Sequence, residues 1–271
     1  MTARYDGQAE WYDEYIGSSA HVTTQDIVDL LGPGEGPCLD LGCGTGLYLD
    51  AIRSTGRTVI GLDRSADQLR LARRRDPAPL LQGDATALPF AAGTFGTVTA
   101  IWVSTDIPDF AGLLREGARV LRPGGRLLFY GVHPCFNGPH IESREDGAVI
   151  IHPTYRIKGW HKRSPWWREG GVRDRVGMSH VPLSDLMNAF VDAGLAIERV
   201  YEPQERPVPS VLAVRAFRPG RGQRPGTGSR ARCSPVTRSN LSASDTSACR
   251  CQSALPAPPC GLLTCSFFSA R

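Results

Sequence analysis

Cys38-Leu39-Asp40-Leu41-Gly42-Cys43-Gly44-Thr45-Gly46 is the stretch on which the fold turns, because an apolar run stops at an acid and gives way to three alternating glycines. It reads as a strand turning sharply into a helix. Glycine tolerates positive φ and puts no Cβ between the backbone and an approaching molecule, and the first amides of a following helix are free to donate. A nucleotide-like ligand is the natural occupant, although a purely structural turn has the same composition. Leu47 stands where a dinucleotide fingerprint wants its third glycine.

Outward from this turn, strands alternate with helices. Pro37 to Leu41 reads as the first strand and Thr45 to Ser54 as its helix. Arg57 to Leu62 is a second strand ending at Asp63, and Ser65 caps a helix through Leu69, Leu71 and Ala72. Leu80 to Gln82 is a short third strand. Phe95 to Ile101, nearly all apolar or β-branched, has the composition of a strand covered on both faces. A helix from Asp109 to about Val120 meets the breakers Arg122-Pro123-Gly124-Gly125, and Arg126 to Val132 is a fifth strand. The repetition predicts a parallel sheet with helices on both faces and a ligand beyond the carboxyl ends of its strands.

Upstream, Tyr5 to Ile16 and Thr23 to Leu31 predict helices, and the aromatics at 5, 11, 12 and 15 suit either core packing or a lid over a ligand. Downstream, residues 133–182 interrupt the alternation with turn-rich sequence holding five of the six histidines and three of the five tryptophans. A connection this long inside a domain is usually functional. Leu183 to Ala193 is a helix ended by Gly194, after which Ala196 to Tyr201 and Val211 to Phe217 flank a Pro-rich link as an antiparallel pair. Residues 219–271 turn to Arg, Pro, Gly, Ser and Cys, the composition of a disordered tail.

With 271 residues, 41% of them apolar, the chain can bury a core. Its net charge of +4 is misleading about the body: the tail carries seven Arg against Asp245, which leaves residues 1–218 slightly acidic. That argues against nucleic acid as a partner, since phosphate binding needs a clustered basic surface. No run of about 18 apolar residues appears, so no membrane partner is expected. Met1 to Asp6 lack the apolar core of a signal peptide, and the expected location is the cytoplasm. Disulfides are not expected there, and Cys249-x-Cys251 in a tail without histidine lacks metal-knuckle spacing, so no metal is expected either.

Four ordered motifs carry a resemblance. The glycine stretch 38–46, Gly61-Leu62-Asp63, Gly83-Asp84-Ala85-Thr86-Ala87-Leu88-Pro89-Phe90, and Arg119-Val120-Leu121-Arg122-Pro123-Gly124-Gly125-Arg126 together resemble the class I S-adenosylmethionine-dependent methyltransferases, of the small-molecule type related to ubiquinone-biosynthesis enzymes. The match is close over residues 37–132 and extends in architecture to Phe217. It implies an α/β fold: a Rossmann-like doubly wound sheet with helices on both faces, a terminal antiparallel strand pair, and a cap inserted after strand five. Residues 1–218 would form the catalytic domain, with 1–36 as a helical lid and 133–182 as the cap.

The resemblance also implies S-adenosyl-L-methionine as cofactor and assigns residues to it. Asp40, Gly42, Cys43, Gly44 and Gly46 belong to the turn that meets its amino-acid end and middle. Asp63, with Arg64 beside it, is placed to accept both ribose hydroxyls. Asp84 and Ala85 fall at the adenine, and Ile101 opens the segment beneath the cofactor. Trp102, Trp160, Trp166 and Trp167 are candidate acceptor walls that core packing explains equally well. His133, just beyond strand five, is the first candidate for a general base and His180 the second, while a hydrogen-bonded loop histidine is the plainer reading of each.

The expected activity is methyl transfer to an O, N or C atom of a small organic acceptor. RNA or protein methylation is the first alternative, but the segment after strand four reads Trp102-Val103-Ser104-Thr105 rather than an Asn/Asp-Pro-Pro-Tyr motif. A nicotinamide oxidoreductase is disfavoured by Leu47. A non-catalytic module that binds the cofactor is the remaining alternative.

Overall fold

Two helices, α1 (Ala9–Gly17) and α2 (Ala20–Leu31), lead into the alternating unit β1 (Pro37–Leu41), α3 (Leu49–Ser54), β2 (Thr58–Asp63), α4 (Ala66–Arg75), β3 (Leu80–Gln82), β4 (Phe95–Ile101), α5 (Phe110–Val120) and β5 (Leu121–Val132). The computed structural model describes residues 3–17, 20–203 and 207–220; the predicted disordered tail, from 221 on, lies outside the described residues. Every residue of β4 is buried, as its uninterrupted apolar and β-branched run demands of a strand covered on both faces.

Seven strands form one sheet in the order β10-β11-β5-β4-β1-β2-β3, where β10 (Ala196–Tyr201) and β11 (Val211–Phe217) are the predicted terminal pair. β11 runs antiparallel to both of its neighbours, whereas β1 to β5 pair in parallel. This is the Rossmann-like α/β fold with an antiparallel strand pair. Strand order reverses between β1 and β4, and such a switch point opens a crevice at the carboxyl ends of the strands. Leu41 lies level with Leu62 of β2 and Ala100 of β4, so Gly42, just past β1, stands in one row with Asp63 and Ile101, the last residues of β2 and β4.

Helix ends follow local chemistry. Ser65 caps α4 by accepting from the Gln68 amide at 3.2 Å, and Asp109 caps α5 by accepting from the Gly112 amide at 2.7 Å. On one face of the sheet, Phe110 of α5, Phe129 of β5 and Phe190 of α7 (Leu183–Asp192) meet edge to face with centroids 5.3–6.3 Å apart. On the other face, Ile27 of α2, Ile52 of α3 and Leu69 of α4 share a second core with Tyr130 of β5.

Several boundaries differ from the sequence pattern: α1 begins at Ala9 rather than Tyr5 and α2 at Ala20 rather than Thr23, and two further differences bear on the site. α3 begins at Leu49 rather than Thr45, because Gly44 and Gly46 hold φ of 54° and 78° and keep the chain out of the helical region until Tyr48. The breaker run 122–125 is no loop: β5 starts at Leu121 and continues through an irregularity between Leu121 and Arg126. There Gly124 donates its amide to the Arg218 carbonyl at 2.7 Å, and Arg218 returns a bond to Gly125 at 2.9 Å.

Residues 133–182 form a small antiparallel layer. β6 (Ile141–Ser143) pairs with β7 (Val149–Ile151), and β8 (Gly159–His161) with β9 (Met178–His180), with the short α6 (Val172–Val176) between the last two. The Ser179 amide donates to the Thr105 carbonyl at 2.7 Å and ties this layer to the loop after β4.

Candidate active site

The glycine turn after β1 and the carboxylate ending β2 are built as one unit. Asp63 accepts from the Gly44 amide through Oδ2 and from the Ser65 amide through Oδ1, each at 2.8 Å. Burial pushes the Asp63 carboxyl above its usual range, while these two amides oppose that rise. Each carboxylate oxygen keeps a further lone pair for an outside donor.

The glycines serve different ends. A side chain on Gly44 would meet only the tip of Gln68, at 3.5 Å, so this position is open to a ligand. Gly46 instead lies 3.2 Å from Ala72, measured from where its Cβ would stand, and its smallness lets α4 pack against the turn.

A cavity of about 470 Å³ opens here. Gly42, Gly44, Asp63, Arg64, Asp84 and Ala85 line it, and Ile101 and Trp102 continue the wall past the end of β4. Thus eight of the residues assigned from sequence share one space. Asp84 is held by the amide and hydroxyl of Thr86, both donating to Oδ1 at 2.7–2.8 Å, and the hydroxyl bond keeps its pKa below the ordinary value.

Three assigned residues lie off this wall. Asp40 is buried behind it, accepting from the Thr99 hydroxyl at 2.7 Å, and burial raises its pKa to about 7. Cys43 is buried against Gly61, and Gly46 faces α4.

Gln68 was not singled out by sequence. It lines the cavity from the first turn of α4, is 3% exposed, and neither its Nε2 nor its Oε1 has a partner. A buried amide without partners costs about 1–3 kcal/mol per unmade bond, so it suits a polar ligand. Its only sequence signal was its place three residues after the cap Ser65.

The N-terminal segment closes the outer side. Arg4, Tyr5 and Tyr12 line the same cavity. The Ser65 hydroxyl donates to Asp6 at 2.6 Å, the Thr45 hydroxyl donates to Asp13 at 2.5 Å, and Arg75 pairs with Asp13 at 2.7 Å. Tyr5 donates its hydroxyl to Asp106 at 3.0 Å, and Arg173 of α6 donates to the same oxygen at 3.1 Å, so Asp106 joins the N-terminal segment, the loop after β4 and the insert. Arg173 carries no local sequence mark, since the fold alone brings it to Asp106.

A second cavity, of about 630 Å³, adjoins the first and shares Tyr12 and Trp102 with it. Tyr15, Tyr48 and Trp167 complete its aromatic lining, and Val132, Val172 and Val211 add aliphatic surface. Trp102 is the one non-glycine residue at positive φ, 59°, among the described residues. Its amide donates to the Tyr130 carbonyl at 2.6 Å and its ring meets Tyr130 edge to face. Strained backbone of this kind persists where the surroundings overdetermine it.

The histidines lie elsewhere. His133, 4% exposed, accepts from the Cys135 amide at Nδ1 and faces Glu202 at 3.1 Å through Nε2. His180, 2% exposed, donates from Nε2 to the Tyr155 carbonyl at 2.7 Å and packs against His140. Neither lines either cavity; burial lowers both pKa values, that of His180 to about 4. Trp160 and Trp166 are also off both walls, the first under the Arg4 guanidinium and the second stacked on His152 at 3.6 Å. Of the insert's tryptophans, Trp167 alone lines one of these two cavities. Among the described residues no group of three or more His, Cys, Asp or Glu is placed to hold a metal ion.

The first cavity fits the cofactor implied by the motifs. Its acidic lining suits a cation, and the open backbone at Gly44 with the unpartnered Gln68 amide suits a polar, extended ligand. Residues 39–129 match a methyltransferase domain family. The demethylmenaquinone methyltransferase of Corynebacterium kroppenstedtii is 42% identical over 169 residues, covering 54% of this chain and 73% of that protein. That of Mycobacterium sp. (strain JLS) is 40% identical over 98 residues, 36% of this chain and only 42% of its own length. A solved S-adenosylmethionine dependent methyltransferase from Mesorhizobium loti superposes with a TM-score of 0.60 at 26% identity, covering 79% of this chain and 99% of that one. Similarity of this depth, across nearly three quarters of a relative and over the very strands that build the first cavity, makes this chain a member of the class I S-adenosylmethionine-dependent methyltransferases.

Proposed function

We propose that this methyltransferase modifies a small organic acceptor with an aromatic ring, bound in the second cavity. The observation that carries the reading is that the two cavities meet at Tyr12 and Trp102. When bound, S-adenosylmethionine supplies a methyl group on a sulfonium, which the acceptor's electron pair displaces onto itself as the bonding pair returns to sulfur.

The chain's own residues bind and align. Asp63 accepts the ribose hydroxyls, Asp84 accepts from the adenine amino group, and Gln68 offers both a donor and an acceptor. Tyr12 and Trp102 set the line along which donor and acceptor face each other; a separation of about 3–3.5 Å is worth roughly 7–11 kcal/mol of the barrier. The N-terminal segment acts as the lid that keeps water out. No histidine or carboxylate lines the acceptor cavity, so His133 and His180 support the cap, and an acceptor hydroxyl gives its proton to solvent water before the lid closes and reacts as its anion. The relatives named for demethylmenaquinone favour an acceptor built on an aromatic ring system. A cytoplasmic location and a partner set without nucleic acid belong to the same reading.

The test is turnover of labelled S-adenosylmethionine with phenols, amines and quinols, run beside Val22→Trp. Val22 is 40% exposed and lines only the second cavity, so a large side chain there fills the cavity without disturbing the core. Turnover should fall by at least about tenfold while S-adenosylhomocysteine still binds. Undiminished turnover in the filled variant overturns the assignment.

A further inference from the structure

The two cavities differ in charge. The cofactor cavity is lined by Asp63, Asp84, Asp106 and Asp109 against Arg4 and Arg64, an excess of carboxylate that matches a cationic methyl donor. The second cavity has Arg168 and Arg173 among its lining and no carboxylate. Both arginines come from one short stretch of the insert, 167–173, in which Trp167, Gly171 and Val172 also line the wall.

Arg173 is ion-paired with Asp106 but keeps donors to spare, and Arg168 is unpaired among the described residues. Arg173 directs Nη1 to Asp106 at 3.1 Å and to the Gly177 carbonyl at 3.5 Å; its Nη2 and Nε take no hydrogen-bond partner among the described residues. Arg168 is exposed and forms no ion pair among the described residues. A guanidinium stays charged at any relevant pH and presents a flat fork of donors that matches a carboxylate with two parallel bonds. Beside it, Trp167, Tyr15 and Tyr12 offer flat apolar surfaces.

On this basis, and resting on the reading of the second cavity as the acceptor site, we infer that the acceptor is an aromatic acid: a ring received by the tyrosines and tryptophans, carrying a group ionised at neutral pH that Arg168 and Arg173 hold. Donor and acceptor then sit in cavities of opposite polarity. Arg173, tied to Asp106 of the cofactor cavity, holds the ionised group from the side where the two cavities meet, and Arg168 holds it from the exposed side.

Salicylate and methyl salicylate, which differ in the charge of one group, test this by calorimetric titration into protein saturated with S-adenosylhomocysteine. Salicylate should bind at least about tenfold more tightly than its ester. Arg168→Gln should bring the acid down toward the ester's affinity, and Arg168→Lys should restore part of the difference, with S-adenosylhomocysteine affinity unchanged in both. Arg173→Gln removes the second guanidinium and should abolish what preference remains. Equal affinities in the wild type, no binding of either compound, or a preference surviving both glutamine variants overturns the inference. Val22→Trp separates this from failure of the acceptor site itself. Equal binding of acid and ester that the filled variant excludes defeats only the charge argument, whereas salicylate binding that the filled variant leaves untouched defeats the site assignment as well.

Discussion

At the scale of single residues, the cofactor cavity is organised by side chains whose hydrogen bonds are divided between the fold and a ligand. Asp63 spends one lone pair of each oxygen on the Gly44 and Ser65 amides and so locks the glycine turn to the start of α4. Gln68 is the opposite case, a buried amide that the fold leaves unpaired. Replacing it with leucine removes that penalty: Gln68→Leu should stabilise the free protein by about 1–3 kcal/mol and weaken S-adenosylhomocysteine binding. Denaturant unfolding and calorimetry check the two halves, and a variant that is no more stable yet binds as tightly removes Gln68 from the site. Asp63 was legible from sequence because it ends an apolar run at a fixed distance from the turn. Gln68 was not, because its partnerless state exists only once Gly44 and α4 are packed together.

Among elements, the N-terminal segment stands out for how it is attached. Its links to α4 and the glycine turn are polar: Glu10 with Arg70 at 2.5 Å, Asp13 with Arg75 at 2.7 Å, Asp6 with Ser65, and the Gly7 amide with Asp67 at 2.9 Å. Ion pairs at a surface are each worth about 0–1 kcal/mol and are screened by salt. This segment should therefore open more readily at about 1 M salt than at 0.1 M. Limited proteolysis within residues 5–17 should quicken with salt and slow when S-adenosylhomocysteine is added; cleavage indifferent to both would leave α1 as fixed core. The sequence left lid and core packing equally open for these aromatics. In the structure Tyr5 and Tyr12 line the cavity, while Trp11 meets Tyr15 at 5.3 Å.

For the whole molecule, the histidines of the insert matter to stability as a function of pH. Burial holds the His180 pKa at about 4, below its ordinary 6.5. Between those values the unfolded chain binds a proton that the folded protein refuses, so this group's contribution falls as pH drops from 6.5 toward 4, by up to about 3 kcal/mol. Asp40 acts in the opposite sense, since its pKa, raised by burial from 3.8 to about 7, makes its contribution fall as pH rises through that window. The clean measurement is therefore the stability difference between wild type and His180→Gln. The variant should be less stable at pH 7 and should gain on the wild type as pH falls toward 4, and a difference that is constant with pH rejects the assignment.

The part of the protein built from neighbours in the chain is legible in the amino-acid order. The runs 37–41, 80–82 and 95–101 are strands as their composition dictates, Ser65 and Asp109 cap the helices that follow them, and Gly42, Gly44, Asp63, Asp84 and Ala85 share one cavity. Each of these depends on spacing within a few residues, or on strands whose carboxyl ends a parallel sheet brings level.

The acceptor side takes shape only when distant segments pack together. Its wall draws on residues 12, 15–16, 22–23, 48, 102, 132, 137, 167–168, 171–173 and 210–211, segments with no spacing relation to one another. It selects Trp167 and leaves Trp160 and Trp166 aside, and it seats His133 and His180 in hydrogen bonds away from both cavities. Local pattern is a short-range property of the chain, whereas a cavity is the space left when distant segments pack. For that reason the reaction could be read along the chain, and the acceptor's shape and charge only across it.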